Sequence, residues 1–115
     1  MNIDDAITAH SKWKMKLSGY LARPDKSLNA AVVGLDTECD LGKWVHGEGR
    51  RYSKLPEFSK LASAHARFHK AAAAVIVKAE SGQKVAEEVV VGARSEFGIA
   101  SSEVVKSLMA MKSKL

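Results

Sequence analysis

Between Phe58 and Ala79 the apolar residues return every three or four positions, and that period narrows the fold class more than any other feature. Phe58, Leu61, His65, Phe68, Ala72, Val75 or Ile76, and Ala79 form one stripe, with His69 beside it. Steps of three and four bring side chains to one face of an α-helix, whereas a half-buried strand needs steps of two. Pro56 stands where a helix can begin, because its missing N–H is not needed in the first turn. The run Ala71 to Ala74 is strongly helix-forming, and Ser81-Gly82 is a stop, with Gly82 suited to a left-handed cap. A helix is predicted from about Pro56 to Glu80.

The same period recurs on either side. Ile3, Ala6, Ile7, His10, Trp13, Leu17 and Leu21 mark a first helix from about Ile3 to Ala22. Asn2 or Asp4 can cap it, Asp4 and Asp5 suit its positive end, and Pro24 prevents its continuation. Residues 23–38 read as a connection with a short helical turn around Ala30 to Leu35. Cys39 to Val45 is a further short segment, and Gly47 and Gly49 bracket Glu48 in a turn. A last helix is predicted from about Gln83 to Lys112 on Val85, Val89, Ala93, Phe97, Ala100, Val104, Leu108 and Met111. Gly92 and Gly98 weaken it or allow close packing. No segment alternates as a strand. The expected fold is all-α, an antiparallel bundle of four or five helices over residues 1–115. A short Cys-bearing helix lies between its first and second long helices.

A chain of 115 residues holds one ordinary domain and one core. The single cysteine, Cys39, excludes an intramolecular disulfide, so a disulfide-stapled secreted scaffold is ruled out. Met1 to Asp5 is acidic and has no apolar stretch, so no signal peptide is expected, and the expected compartment is the cytoplasm. The apolar run Ala71 to Val77 is too short to span a bilayer. The net charge of +5 mildly favours acidic partners, but the cations are dispersed. Lys12, Lys14 and Lys16, two residues apart, cannot share a narrow helical face. Neither nucleic acid nor membrane is therefore expected as a partner.

The chemistry-bearing residues are three histidines on or beside apolar stripes, together with Cys39. His65 and His69 are four apart, which places both rings on one side of a helix, one turn apart. Buried imidazoles need partners, since an unpaired buried polar group costs roughly 1–3 kcal/mol. Three ring nitrogens and a thiolate suit tetrahedral zinc. Spacing alone leaves a second reading open: hydrogen-bonded core histidines and a small buried cysteine. His46, next to Gly47, reads as a surface or capping residue. Trp13 and Trp44 are expected to pack beside the site and keep it dry.

The run Cys39-Asp40-Leu41-Gly42-Lys43-Trp44 resembles the Cys-x-x-Gly-x-Trp signature of the chemoreceptor zinc-binding (CZB) domain family. Ala9-His10-Ser11-Lys12-Trp13-Lys14 is similar to that family's first-helix motif. Gly47-Glu48-Gly49-Arg50 and Leu55-Pro56 match its turn and helix start, and Ala64-His65-Ala66-Arg67-Phe68-His69 its paired histidines. The resemblance covers roughly residues 3–80. It implies zinc held by His10, Cys39, His65 and His69, with Trp13, Gly42, Trp44 and Phe68 packed around that set.

The resemblance also implies a helical bundle, often a homodimer, in bacterial cytoplasmic signalling proteins such as chemoreceptors and diguanylate cyclases. Members are often joined to an output domain, and none is expected within residues 1–115. The expectation is a sensory or regulatory domain that responds to zinc level or to an oxidant such as hypochlorous acid acting on Cys39. The alternative is a zinc-stapled dimerisation or scaffold module. An enzyme is not expected, because catalytic zinc keeps an open coordination position and no acid or base is recognisably placed beside these four residues.

Overall fold

The computed structural model describes residues 2–82 and 86–115. Among them the regular elements are all helical. They are α1 (Ile3–Ser11), α2 (Trp13–Ala22), α3 (Ala30–Val33), α4 (Asp40–His46), a 3₁₀ turn (Glu48–Tyr52), α5 (Pro56–Glu80), α6 (Glu87–Val91) and α7 (Glu96–Lys112). The molecule measures 44 × 24 × 19 Å.

Four rods run up, down, up and down. The first is α1 with α2, whose end meets the end of α5 where Tyr20 Oη donates to Glu80 Oε2 at 3.0 Å. The chain then returns along α5 in an irregular second rod built from α3, α4 and the 3₁₀ turn. Val33 stands beside His69, Cys39 beside His65, and Trp44 beside Phe58. The third rod is α5. The fourth, α6 with α7, descends against it, so that Phe97 meets Phe68, Arg67 meets Glu103, and Lys112 reaches Asp4 on α1. Leu17, Leu41, Leu61, Phe68, Ile76, Phe97, Val104, Leu108 and Met111 fill the space between the rods and are almost wholly buried.

Two of the expected long helices are broken. The first is interrupted at Lys12. On α1, Thr8 Oγ1 donates to Asp4 O and His10 Nδ1 meets Ala6 O at 2.8 Å. Such back-bonding to the preceding turn competes with the backbone ladder and bends helices. The last helix is split at Gly92, whose backbone is extended, and restarts at Ser95, whose hydroxyl accepts from Gly98 N at 3.0 Å. A Cβ on Gly98 would come within 2.0 Å of Gly92 O, so the two segments join only because that position is bare. The break also shifts the inward face: Val90 and Val91 are buried, while Val89 is 70% exposed and Ala93 is exposed. The expected start of this helix, Gln83 to Val85, lies outside the described residues.

Other expectations held. The helical turn expected around Ala30 to Leu35 is α3, Pro56 opens α5, and Gly82 takes a left-handed φ of 79° just past its end. Among the described residues no helix is long and apolar enough to cross a membrane.

Candidate metal centre

His10, Cys39, His65 and His69 converge. Each offers one donor atom, and the four donors lie within 4.8 Å of one another. His10 comes from the last turn of α1 and His65 and His69 from successive turns of α5. Cys39 is the N-cap of α4. Cys39 Sγ lies 3.2 Å from His65 Nε2, 3.5 Å from His69 Nε2 and 3.9 Å from His10 Nε2. His65 Nε2 and His69 Nε2 are 2.9 Å apart. In a tetrahedron with usual zinc–nitrogen and zinc–sulfur bonds, neighbouring donors are roughly 3.3–3.6 Å apart. The observed separations straddle that range.

The hydrogen bonds around the rings decide what the donors can do. His69 Nδ1 lies 2.7 Å from Val33 O, and His10 Nδ1 lies 2.8 Å from Ala6 O. A carbonyl only accepts, so both Nδ1 atoms carry the proton. Both Nε2 atoms of the neutral rings then present bare lone pairs to the centre. His65 differs: its Nδ1 is buried without a hydrogen-bond partner among the described residues. The centre thus gathers more lone pairs than protons to share among them, and a cation satisfies that arrangement better than hydrogen bonds do.

Burial acts in the same direction. The three histidines are 0–4% exposed. Desolvation pushes His65 down to about 3, with the charges of His69 and His10 adding to the shift. Desolvation also lowers His10 and His69, against the opposing pull of their carbonyl partners. All three rings are therefore neutral at pH 7, the form that ligates metal. Burial likewise raises the Cys39 thiol, against the hydrogen bonds from nearby N–H groups. A cation would oppose that rise by favouring the thiolate.

The Cys39 segment is shaped by backbone contact. Gly42 N donates to Cys39 Sγ at 3.3 Å, closing the first turn of α4 on the sulfur. A Cβ on Gly42 would lie 1.6 Å from Asp36 O and 3.2 Å from Thr37 Cα, so only glycine lets residues 36–37 cross here. Asp36 Oδ2 lies 3.0 Å from His46 Nε2, an exposed pair joining the residues before Cys39 to the end of α4. Burial raises the Asp36 carboxyl, but the bond from His46 and its charge outweigh that and hold it below its ordinary value.

Of the four residues expected around the ligands, Phe68 meets His10 and His69 edge-on, at 5.1 and 5.4 Å between ring centres. Gly42 meets Cys39 as described. The ring contacts of the tryptophans lie elsewhere. Trp44 packs on Tyr52 and Phe58, and Trp13 lies under the Lys16 ammonium at 4.7 Å. Among the described residues neither makes a ring contact with a ligand histidine. His46 stays outside the cluster and pairs with Asp36. The carbonyls of Ala6 and Val33 were missed by sequence reasoning, because every residue carries one and only the fold selects which faces a ring.

Four donors of the types that zinc takes, three of them held as neutral imidazoles, make a set that could hold one such ion with no position left over for water. The family model described as the chemoreceptor zinc-binding domain matches residues 10–76, which include all four donors and more than half of the chain. No curated protein and no solved structure matches this chain. With a helical bundle, a His-Cys-His-His cluster able to hold the metal and this match together, the chain belongs to the chemoreceptor zinc-binding domain family.

Proposed function

We propose that this domain is a cytoplasmic zinc-binding sensory module of bacterial signalling, of the chemotaxis or cyclic-di-GMP type. In this reading Cys39 is the responsive ligand. The observation that carries it is the contrast in exposure: the three histidines are buried, whereas Cys39 is half-buried and sits on the irregular second rod. Bound zinc would hold Cys39 as a thiolate and tie the rods together. The chain's own residues do the rest. Ala6 O and Val33 O fix two rings, Gly42 N steadies the sulfur, and Phe68 keeps water from the ring edges.

Either of two events would act on Cys39. A competing chelator would withdraw the metal from all four donors. An oxidant such as hypochlorous acid would convert the thiolate to sulfenic acid and release chloride, removing the one sulfur donor while leaving the imidazoles intact. In both cases residues 36–46 lose their strongest tie to α5. The output passes to a signalling domain or partner protein, and a homodimer is the form in which it acts.

Four protein donors leave no coordination position for a substrate water, which supports a non-enzymatic role. The same closed set favours a second reading, a permanent structural staple. Amide exchange of the zinc-loaded and chelated protein separates the two. A sensor stays folded on chelation and gains exchange around Cys39; a staple unfolds throughout. Identical protection at residues 36–46 in the two states would defeat the sensory reading.

A further inference from the structure

The four donors are not equally reachable. A cleft of about 350 Å³ opens between α1 and the start of α4, and His10 and Cys39 form part of its wall. The clefts along α5 and α7 reach none of the four. With the histidines buried, the way in passes along the sulfur.

Three carboxylates line the same cleft: Asp5, Glu38 and Asp40. All three are exposed. Glu38 and Asp40 flank Cys39 directly, so their charges stay near the sulfur wherever the segment sits, while Asp5 lies little more than one turn before His10 on α1. None of the three forms an ion pair among the described residues. The neighbouring Asp4, by contrast, is matched by Lys112 at 2.8 Å. The chain as a whole carries +5, so this cleft is negative on a positive molecule. A carboxylate cluster alone would say nothing; this one stands over two of the metal donors.

We propose that the Asp5/Glu38/Asp40 cleft is the entrance to the metal centre, drawing divalent cations in and disfavouring anionic reagents at Cys39. The proposal rests on the zinc-site reading above and adds a route and a charge filter to it. Carboxylates at a cleft mouth raise the local concentration of cations and speed their association, and the effect fades as salt rises. They also set which thiol reagents arrive. Bulk charge would favour an anion at Cys39, whereas the cleft favours a cation, so the two accounts differ in sign.

The test uses the full chain and a variant with Asp5→Asn, Glu38→Gln and Asp40→Asn. A control variant, Glu48→Gln with Glu57→Gln and Glu96→Gln, makes the same change in net charge away from the cleft. Zinc uptake by the metal-free proteins is followed by stopped flow. Cys39 is separately titrated with two reagents of one chemistry, cationic 2-aminoethyl and anionic 2-sulfonatoethyl methanethiosulfonate. Taking their rate ratio cancels any change in thiolate fraction.

Neutralising the cleft is expected to slow zinc association about tenfold at low salt. The cation-to-anion ratio should fall by a similar factor, with both effects shrinking at high salt and the control staying near wild type. Equal effects from the control, or none from the cleft variant, overturn the entrance. Absence of zinc uptake by the wild type overturns the zinc-site reading itself, and the proposed entrance with it. Uptake at unchanged rates overturns the entrance alone.

Discussion

The Nε2 atoms of His65 and His69 face each other at 2.9 Å, one helical turn apart, inside a core that leaves neither ring open to water. Two imidazolium ions could not share that space. Burial, with the charges of its neighbours, pushes His65 down to about 3 from 6.5, and burial lowers His10 and His69 as well. An unfolded chain protonates these rings near their ordinary value while the folded chain does not. Between about pH 6.5 and 3 the unfolded state therefore binds more protons, and stability falls as pH falls. His65 alone contributes roughly 1.4 kcal/mol per pH unit across that window. Urea unfolding of the metal-free protein should show a loss of about 2 kcal/mol or more between about pH 7.5 and 5. A flat profile would mean that the rings are solvated or charged in the native state.

Cys39 has two jobs that one substitution separates. Its sulfur is a donor to the centre, and it also caps α4 by accepting from Gly42 N. Serine keeps the cap and removes the thiolate. Cys39→Ser should match the wild type in metal-free stability to within about 1 kcal/mol. Its zinc affinity should fall more than the 10–100-fold that loss of an outer partner costs. Cys39→Ala should lose both. Chelator competition and urea unfolding on the same samples check the two halves independently.

Gly42→Ala tests whether the crossing of residues 36–37 sets the position of the sulfur. A methyl group there would collide with Asp36 O. The backbone must shift, with a stability loss of about 1–3 kcal/mol for overpacking. Because Cys39 moves with the same turn, zinc affinity should fall too, although alanine contributes and removes no ligand. Unchanged affinity in a destabilised protein would uncouple the crossing from the centre.

Ser95→Ala should weaken the restart of α7. The hydroxyl caps Gly98 N, and loss of such a cap costs about 1 kcal/mol. Amide exchange should rise in the first turn of α7, while zinc affinity stays unchanged, because no ligand lies on α7. A fall in affinity would place this helix in the support of the centre.

The rods and the ligands were legible in the sequence for one reason: both are written in helical spacing. His65 and His69 at four residues' separation, and Phe58 to Ala79 at three and four, carry their geometry with them. The breaks at Lys12 and at Gly92 to Ser95 were not legible that way. The apolar pattern continues across each gap, from His10 to Trp13 and Leu17 and from Val89 to Ala93 and Phe97, and periodicity alone does not register a helix that stops and restarts, even where, as at the second break, the inward face moves to Val90 and Val91. The capping serine was the available signal at the second break. At the first, the cause is a ring bonded to the carbonyl of Ala6, an acceptor with no sequence identity. The contacts of Trp44 with Tyr52 and Phe58 were not legible either, because its motif spacing fixes a place on α4 but not which neighbours its ring meets.

The ligands span residues 10 to 69, and α7 lies beyond that stretch. Pulled by its two ends, the loaded protein would yield in unequal stages. The last helix, held by side-chain packing and two exposed ion pairs but by no metal ligand, would peel away first. The remainder would then stall short of full contour length, because the stretch from His10 to His69, ~200 Å when drawn out straight, stays gathered at one point until the metal–ligand bonds rupture. Stripped of its ion, the same chain would lose that hidden length.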